Sequence, residues 1–209
     1  MKVIAINGSP HKKGNTFEAL NIVLEELKNE NIDSEIIHVG NKKISGCLAC
    51  NDCFKTRDEK CILKDDIVNE SIQKMKAAEG ILLASSVHYA SIAGNMKAFL
   101  DRVFYTSGAN KNLFRHKVGA ALVAVRRAGG LPAFNELNNY LNYSEMVIPT
   151  SNYWNVIYGA KPGDIHQDEE GIQIMRILGK NMAWLLKVID QSRINKPEVE
   201  RKKSTNFIR

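Results

Sequence analysis

Cysteine is missing from the sequence everywhere except one stretch, residues 47–61, which holds all four. A secreted disulfide framework spreads its cysteines to staple distant segments, so this confinement points to Cys47, Cys50, Cys53 and Cys61 as ligands in a reducing compartment. No apolar run is long enough to span a bilayer, and the opening stretch Met1–Gly8 is too short for a signal peptide and lacks a small-residue cleavage site. A cytoplasmic protein that stays out of the membrane is expected. Aromatic residues make up 7% of the chain and are not interleaved with basic ones, as a stacking platform for nucleic acid requires. The formal charge of +6 does not restore that reading. Residues 191–209 supply +4 of it, through Arg193, Lys196, Arg201, Lys202, Lys203 and Arg209 against Glu198 and Glu200. Two phosphate-binding fingerprints are also absent. Five residues separate Gly8 from Gly14, and Asn15-Thr16 follows where a Walker loop needs Lys-Ser/Thr, which argues against nucleotide hydrolysis. The absence of G-x-G-x-x-G argues against a tightly held dinucleotide.

What is present is a regular alternation. At 209 residues and 44% hydrophobic, the chain can bury a core as one domain over residues 1–190, followed by a basic tail at 191–209. Lys2–Ile6 reads as a β-branched strand, and from Asn15 the residues Phe17, Leu20, Leu24 and Leu27 recur at helical spacing. Further strands are predicted at Ser34–Val39, Gly80–Ser85, Lys117–Val125 and Glu145–Pro149. Further helices are predicted near Asp65–Lys76, Gly94–Phe104, Pro132–Leu141 and Glu169–Ile189. Strands alternating with helices imply an α/β fold, a doubly wound parallel five-stranded sheet with helices on both faces. The rhythm fits the flavodoxin-like order 2-1-3-4-5, whose ligand site lies beyond the carboxyl ends of the strands. The loops Gly8–Thr16, Ser85–Gly94 and Arg126–Gly130 should therefore meet. The segment Asn152–Asp168, with Tyr153, Trp154 and Tyr158, reads as an ordered excursion near the site or an oligomer contact.

Gly8–Thr16 joins a strand to a helix, so the free N–H groups and positive dipole end of that helix point into the loop, where a phosphate dianion fits. Ser9, Asn15 and Thr16 add short hydroxyl and amide side chains. The cysteines follow the spacing C-x2-C-x2-C-x7-C, which brings three thiolates together by local turns and returns a fourth. That suits a [4Fe-4S] cluster. Structural zinc also accepts four thiolates, and plain thiols lining a pocket are the third reading.

The strings GSPHKKGNT, GCLACNDCFKTRDEKC with a following KDD, and ASSVHYASIAGNMKAFLDR resemble the NADPH-dependent FMN reductase family and, within it, the iron-sulfur flavoproteins. The closing Thr205–Arg209 resembles endings of relatives. The resemblance implies FMN, its phosphate held by Ser9, Gly14, Asn15 and Thr16, with His11 or Lys13 as further contacts. It implies a [4Fe-4S] cluster on Cys47, Cys50, Cys53 and Cys61, and a homodimer or homotetramer.

The isoalloxazine ring needs a flat slot with backbone groups at its edge. Ser86, Val87, His88, Tyr89 and Ser91 form the expected seat, although relatives read Ser-Pro-Val-Tyr where this chain has Ser85-Ser86-Val87-His88. His88 reads as a proton donor near the flavin or as an exposed loop histidine. Met96 reads as packing, and Asp101 and Arg102 as a local ion pair. Arg126, Gly129 and Gly130 are expected at the ring's pyrimidine edge. The function expected is an iron-sulfur flavoprotein oxidoreductase that moves electrons between NAD(P)H or a ferredoxin-like one-electron carrier and a small-molecule acceptor. The rivals are a cluster-free NAD(P)H-dependent FMN, quinone or nitro reductase, and a non-enzymatic flavodoxin-like carrier.

Overall fold

Val3–Ile6 is an unbroken apolar run, and all four of its residues are fully buried. A strand of this kind lies inside a parallel sheet covered on both faces. It forms the middle of β1 (Lys2–Asn7) in a computed structural model that describes residues 1–200, 202–205 and 207. Arg201, Asn206, Ile208 and Arg209 lie outside the described residues, and with them part of the basic tail and of the family-like ending. Along the chain follow α1 (Asn15–Asn29), β2 (Asp33–His38), a short α2 (Asp52–Thr56), α3 (Val68–Ala77) and β3 (Gly80–His88). Then come a two-residue β4 (Ser91–Ile92), α4 (Gly94–Ala109), β5 (Val118–Val125), α5 (Gly130–Tyr143), β6 (Val156–Tyr158), a 3-10 turn at Asp164–Gln167 and α6 (Glu169–Gln191).

The parallel strands lie in the order β2-β1-β3-β5-β6, in register Ile4↔Glu35, Ile4↔Ile81 and Leu83↔Ala121. β4 turns back antiparallel on the end of β3, pairing Val87 with Ile92 and His88 with Ser91. With that hairpin set aside, the order is the 2-1-3-4-5 expected from the sequence. Alternation along the strands divides the core. Ile4, Ile6, Ile81, Leu83, Ala121 and Val123 pack with α3, α4 and α5, whereas Val3, Ala5, Leu82, Ala84, Ala120 and Leu122 pack with α1 and α6.

The fifth strand is displaced from its predicted place. Within Glu145–Pro149 only Val147 bridges to the sheet, at Val118, and the strand proper is β6, opposite Val123–Val125. Pro149 has no N–H to give to a ladder. Asn155 takes over that role. Its side-chain Nδ2 donates to the Ala121 carbonyl at 2.9 Å and its carbonyl accepts from the Val123 N–H at 2.9 Å. The intervening residues, with Tyr153 and Trp154 exposed, run outside the sheet edge.

Tail residues within reach are tied down at two points. Arg115 donates to the carbonyls of Pro197 and Glu198, and Lys202 donates to the Tyr143 hydroxyl at 2.8 Å. No helix among the described residues is long and apolar enough to cross a membrane.

Candidate functional site

The loop after β1 is held from several sides. Gly8 donates its N–H to the Ala84 carbonyl at 2.8 Å, and a Cβ on Gly8 would come within 2.7 Å of the Met96 side chain, so the loop rests directly on α4. Met96 is fully buried and serves as packing. The Ser9 carbonyl lies 2.8 Å from His38 Nε2, and the Ser9 hydroxyl accepts from the His11 N–H at 3.3 Å. Gly14 caps α1 without a side chain, which leaves the first N–H groups of the helix, those of Asn15 and Thr16, open to an external acceptor. Ser9 and Thr16 are buried beneath this end, while His11, Lys12 and Lys13 are exposed above it. Both polar atoms of the Asn15 side chain bond to the turn at residues 161–163. Beyond those bonds Asn15 keeps its backbone N–H and one Nδ2 hydrogen for an external acceptor.

The expected flavin seat is a hairpin. Tyr89 and Ala90 form its tip with φ of 49° and 59°, the pair of left-handed residues a two-residue turn of this type requires. Ser85 Oγ accepts from the Ala93 N–H at 3.0 Å, and Glu136 of α5 accepts from the Ser91 hydroxyl at 2.6 Å and the Ile92 N–H at 3.2 Å. Ser91 is therefore a brace to α5. His88 and Tyr89 are exposed. Ser86 shares its strand face with Leu82 and Ala84, which pack toward α1 and α6, and its buried hydroxyl has no protein partner. An unsatisfied buried hydroxyl at this end of the strand, on the side that carries α1, suits the polar part of a phosphate-bearing ligand. The third loop meets the second at Gly129. Gly129 has φ 85°, and a Cβ there would lie 2.8 Å from Ala90 Cα. Arg126 is exposed, and Gly130 is buried against Val156. All three loops thus converge at one end of the sheet.

The four cysteines line one pocket against α4, together with Arg102 and Tyr105. Left-handed backbone at Ala49, Asn51 and Arg57 folds the chain tightly around α2, and Phe54 packs edge-on to Tyr105 with ring centroids 5.2 Å apart. The Tyr105 hydroxyl reaches Asn51 Oδ1 at 2.6 Å. Cys53 is buried, and that burial pushes its thiol pKa up; Cys47 and Cys50 are exposed. Cys61 is clasped by Asn69, which accepts its N–H at 2.7 Å and donates to its carbonyl at 2.9 Å. The expected Asp101–Arg102 pair does not form, because neighbouring positions on a helix point in different directions. Asp101 pairs with Lys97 at 2.5 Å and accepts from the Tyr140 hydroxyl, while Arg102 turns inward to Asp66. Among the described residues no three ligating side chains surround one point closely enough to hold a single metal ion. Four thiols lining one pocket are a donor set that either a tetrahedral zinc or an iron-sulfur group takes.

Comparison with known proteins gives the family and the fold. The sequence profile of the family described as NADPH-dependent FMN reductase matches residues 1–161. The chain belongs to this family. As a member of the FMN reductase family it is an FMN-binding oxidoreductase. An iron-sulfur flavoprotein of Methanocaldococcus jannaschii is 34% identical over 198 residues, covering 90% of this chain and 99% of the relative. An iron-sulfur flavoprotein of Methanosarcina thermophila is 28% identical, covering 92% and 99%. Among solved structures, RosB with bound 8-demethyl-8-formylriboflavin-5′-phosphate superposes with a TM-score of 0.69 at 13% identity, over 100% of this chain and 97% of that one. A flavodoxin from the domain Archaea superposes at 0.58 with 19% identity, over 90% and 99%.

Several residues of this FMN reductase family member that shape the site escape a sequence reading. Gly40, where a Cβ would meet the Ser9 carbonyl oxygen, His38, Glu136 and the turn at 161–163 lie outside the recognisable motifs and act by bracing them. Asp66 gives one signal, in the KDD string after Cys61, but its partner Arg102 lies 36 positions away.

Proposed function

We propose that the chain is an iron-sulfur flavoprotein that passes electrons between NAD(P)H or a ferredoxin-like carrier and a small-molecule acceptor. In this reading the FMN phosphate rests on the N–H groups at Gly14–Thr16, near Ser9, His11 and Lys13. The ring lies over Ser86–Ser91, with Arg126, Gly129 and Gly130 at its edge. The four cysteines hold a [4Fe-4S] group. The observation that carries the reading is that every cysteine in the sequence lines one pocket against α4, the helix that starts directly after the flavin-seat hairpin. The iron-sulfur flavoprotein relatives, matched over nearly their full length, support it. Bound FMN supplies two-electron or one-electron chemistry and an iron-sulfur group supplies one-electron chemistry, so together they join two kinds of redox partner.

The chain's own residues position and exclude. The α1 N-terminus orients the phosphate, Glu136 fixes the hairpin against α5, and Gly129 lets the second and third loops close on each other. No side chain needs to act as a nucleophile or a paired acid and base. By the same family reading the protein is a homodimer or homotetramer, and the sequence features set out above support a cytoplasmic location. The cluster-free reductase is the second reading, favoured by the exposure of Cys47 and Cys50.

The test is an absorption spectrum of anaerobically purified protein, with iron, acid-labile sulfide and zinc quantified on the same sample. Flavin bands over a broad brown absorbance, with matching iron and sulfide, are expected. Flavin bands alone would overturn the cluster and favour the cluster-free reductase instead.

A further inference from the structure

Arg102 is only 1% exposed, and its guanidinium is surrounded by acceptors from the cysteine loop. Nε points to Cys61 Sγ at 3.3 Å, Nη2 donates to the Leu63 carbonyl at 2.9 Å, Nη1 reaches the Ser45 carbonyl at 3.5 Å, and both Nη atoms contact the Asp66 carboxylate. Ser45 precedes the first cysteine and Leu63 follows the last, so one side chain closes the neck of the loop. An ion pair to Asp66 needs only the two Nη atoms. The Nε–H is directed at the sulfur in addition. Burial works against the charge on Arg102, but its bonds to Asp66 and Cys61 more than offset this and the guanidinium stays positive.

We propose that Arg102 is a positioning residue that holds Cys61 through an N–H···S bond and raises the reduction potential of the iron-sulfur group on the four cysteines. This rests on the cofactor reading given above. Reduction adds one electron from a one-electron donor, with no bond made or broken and no proton taken up. The added negative charge spreads over iron and sulfur, including Cys61 Sγ. A donor N–H and a buried positive charge at that sulfur stabilise the reduced form more than the oxidised form. Asp66 opposes part of this charge. The helix also links the two sites. Arg102 lies eight positions after Gly94, about 12 Å along α4 at 1.5 Å per residue, and Gly94 directly follows the flavin-seat hairpin.

The experiment compares full-length wild type, Arg102→Gln and Asp66→Asn, all purified anaerobically. Iron and acid-labile sulfide are quantified, and the one-electron midpoint is read by redox titration followed by electron paramagnetic resonance. In Arg102→Gln the reduction equilibrium is expected to fall about tenfold, which for one electron is a midpoint about 59 mV lower. In Asp66→Asn, which removes the opposing charge, the midpoint is expected to rise. A role confined to docking the loop would move both variants in the same direction. An unchanged midpoint in Arg102→Gln, or shifts of the same sign in both, overturns the proposal. If Arg102→Gln loses its iron, the Asp66→Asn midpoint decides: a rise supports the proposal, and no rise overturns it. Loss of iron from both variants while wild type keeps it assigns Arg102 to folding alone and overturns the proposal. Wild type without iron and sulfide overturns the cofactor reading itself, before any variant is compared.

Discussion

The side-chain amide of Asn15 bridges to a turn 146 positions further along the chain: Nδ2 donates to the Lys161 carbonyl at 2.9 Å, and Oδ1 accepts from the Gly163 N–H at 3.0 Å. Asp164 holds the same turn from the other side, accepting the N–H groups of Ala160 at 3.1 Å and Lys161 at 2.6 Å. The first turn of α1 and the 160–164 turn are therefore tied together beside the Gly8–Thr16 loop, the proposed phosphate site. Asn15→Ala removes two hydrogen bonds, each worth about 1 kcal/mol net and less where exposed. The expected outcome is an FMN Kd about tenfold higher, equivalent to about 1.4 kcal/mol, read by titrating apoprotein with FMN and following flavin fluorescence. Wild-type affinity in this variant would show that the phosphate loop is set without the bridge.

Gly40 makes a sharper prediction. A Cβ built there would lie 1.9 Å from the Ser9 carbonyl oxygen and 2.2 Å from its carbon, and backbone atoms cannot rotate out of the way as a flexible side chain does. Gly40→Ala must push the Gly8–Thr16 loop outward and break the contact from His38. A loss of about 1–3 kcal/mol is expected, together with protein that leaves gel filtration depleted of FMN. Thermal unfolding and flavin content measure the two effects, and a yellow variant with an unchanged Tm would refute the contact.

How far the sequence reveals this site depends on the range of the interactions that build it. The β1 run and the strand and helix alternation are local signals, and apart from the fifth strand the elements they predict are present; the confined cysteines come together in one pocket. The fifth strand lies elsewhere than its local signal because Val147 and Ile148 have the composition of a strand, while the decisive group is the Asn155 side chain that satisfies Ala121 from outside the edge. The β3–β4 hairpin has no sequence signature because Tyr89-Ala90 carries none of the Asn-Gly chemistry that marks such turns. No sequence signal links Arg102 to Asp66 or Cys61, so its neighbour Asp101 is the only partner the sequence offers. Gly40 is a lone glycine whose importance comes only from the loop packed against it.

His116 gives the fold a pH dependence away from the cofactor sites. Burial pushes its pKa down, the neighbouring Arg115 and the tail residue Lys196 add to this, and Glu145 opposes it. The unfolded chain, with a His pKa of about 6.5, therefore takes up a proton before the folded protein does. The stabilisation is fully present above that value and is lost as pH falls toward the folded-state pKa. His116 has φ 62° and donates its N–H to the Glu145 carbonyl at 3.0 Å, so Asn, which tolerates this backbone, is the suitable replacement. Between pH 7.5 and 5.5 the urea midpoint of wild type is expected to drop further than that of His116→Asn. Equal drops would assign the acid sensitivity to other groups.

The hairpin tip separates stability from activity. Tyr89 and Ala90 both occupy the left-handed region, which costs roughly 1–2 kcal/mol for each residue that is not glycine. Such strain persists where the surroundings impose it, and here Gly129 and Glu136 hold the hairpin from both sides. Replacing the pair by Asn-Gly, through Tyr89→Asn and Ala90→Gly together, installs the residues this turn favours. Stability is expected to rise by about 1 kcal/mol, a Tm gain of roughly 2–4 °C for a chain of this size. The same change removes the fully exposed Tyr89 ring from the lip of the proposed flavin seat, so the rate of FMN reduction by NAD(P)H is expected to fall at least several-fold. A more stable protein with an unchanged rate would show that the tip serves the fold alone. A less stable one would show that the left-handed pair is supported by contacts that outweigh its strain.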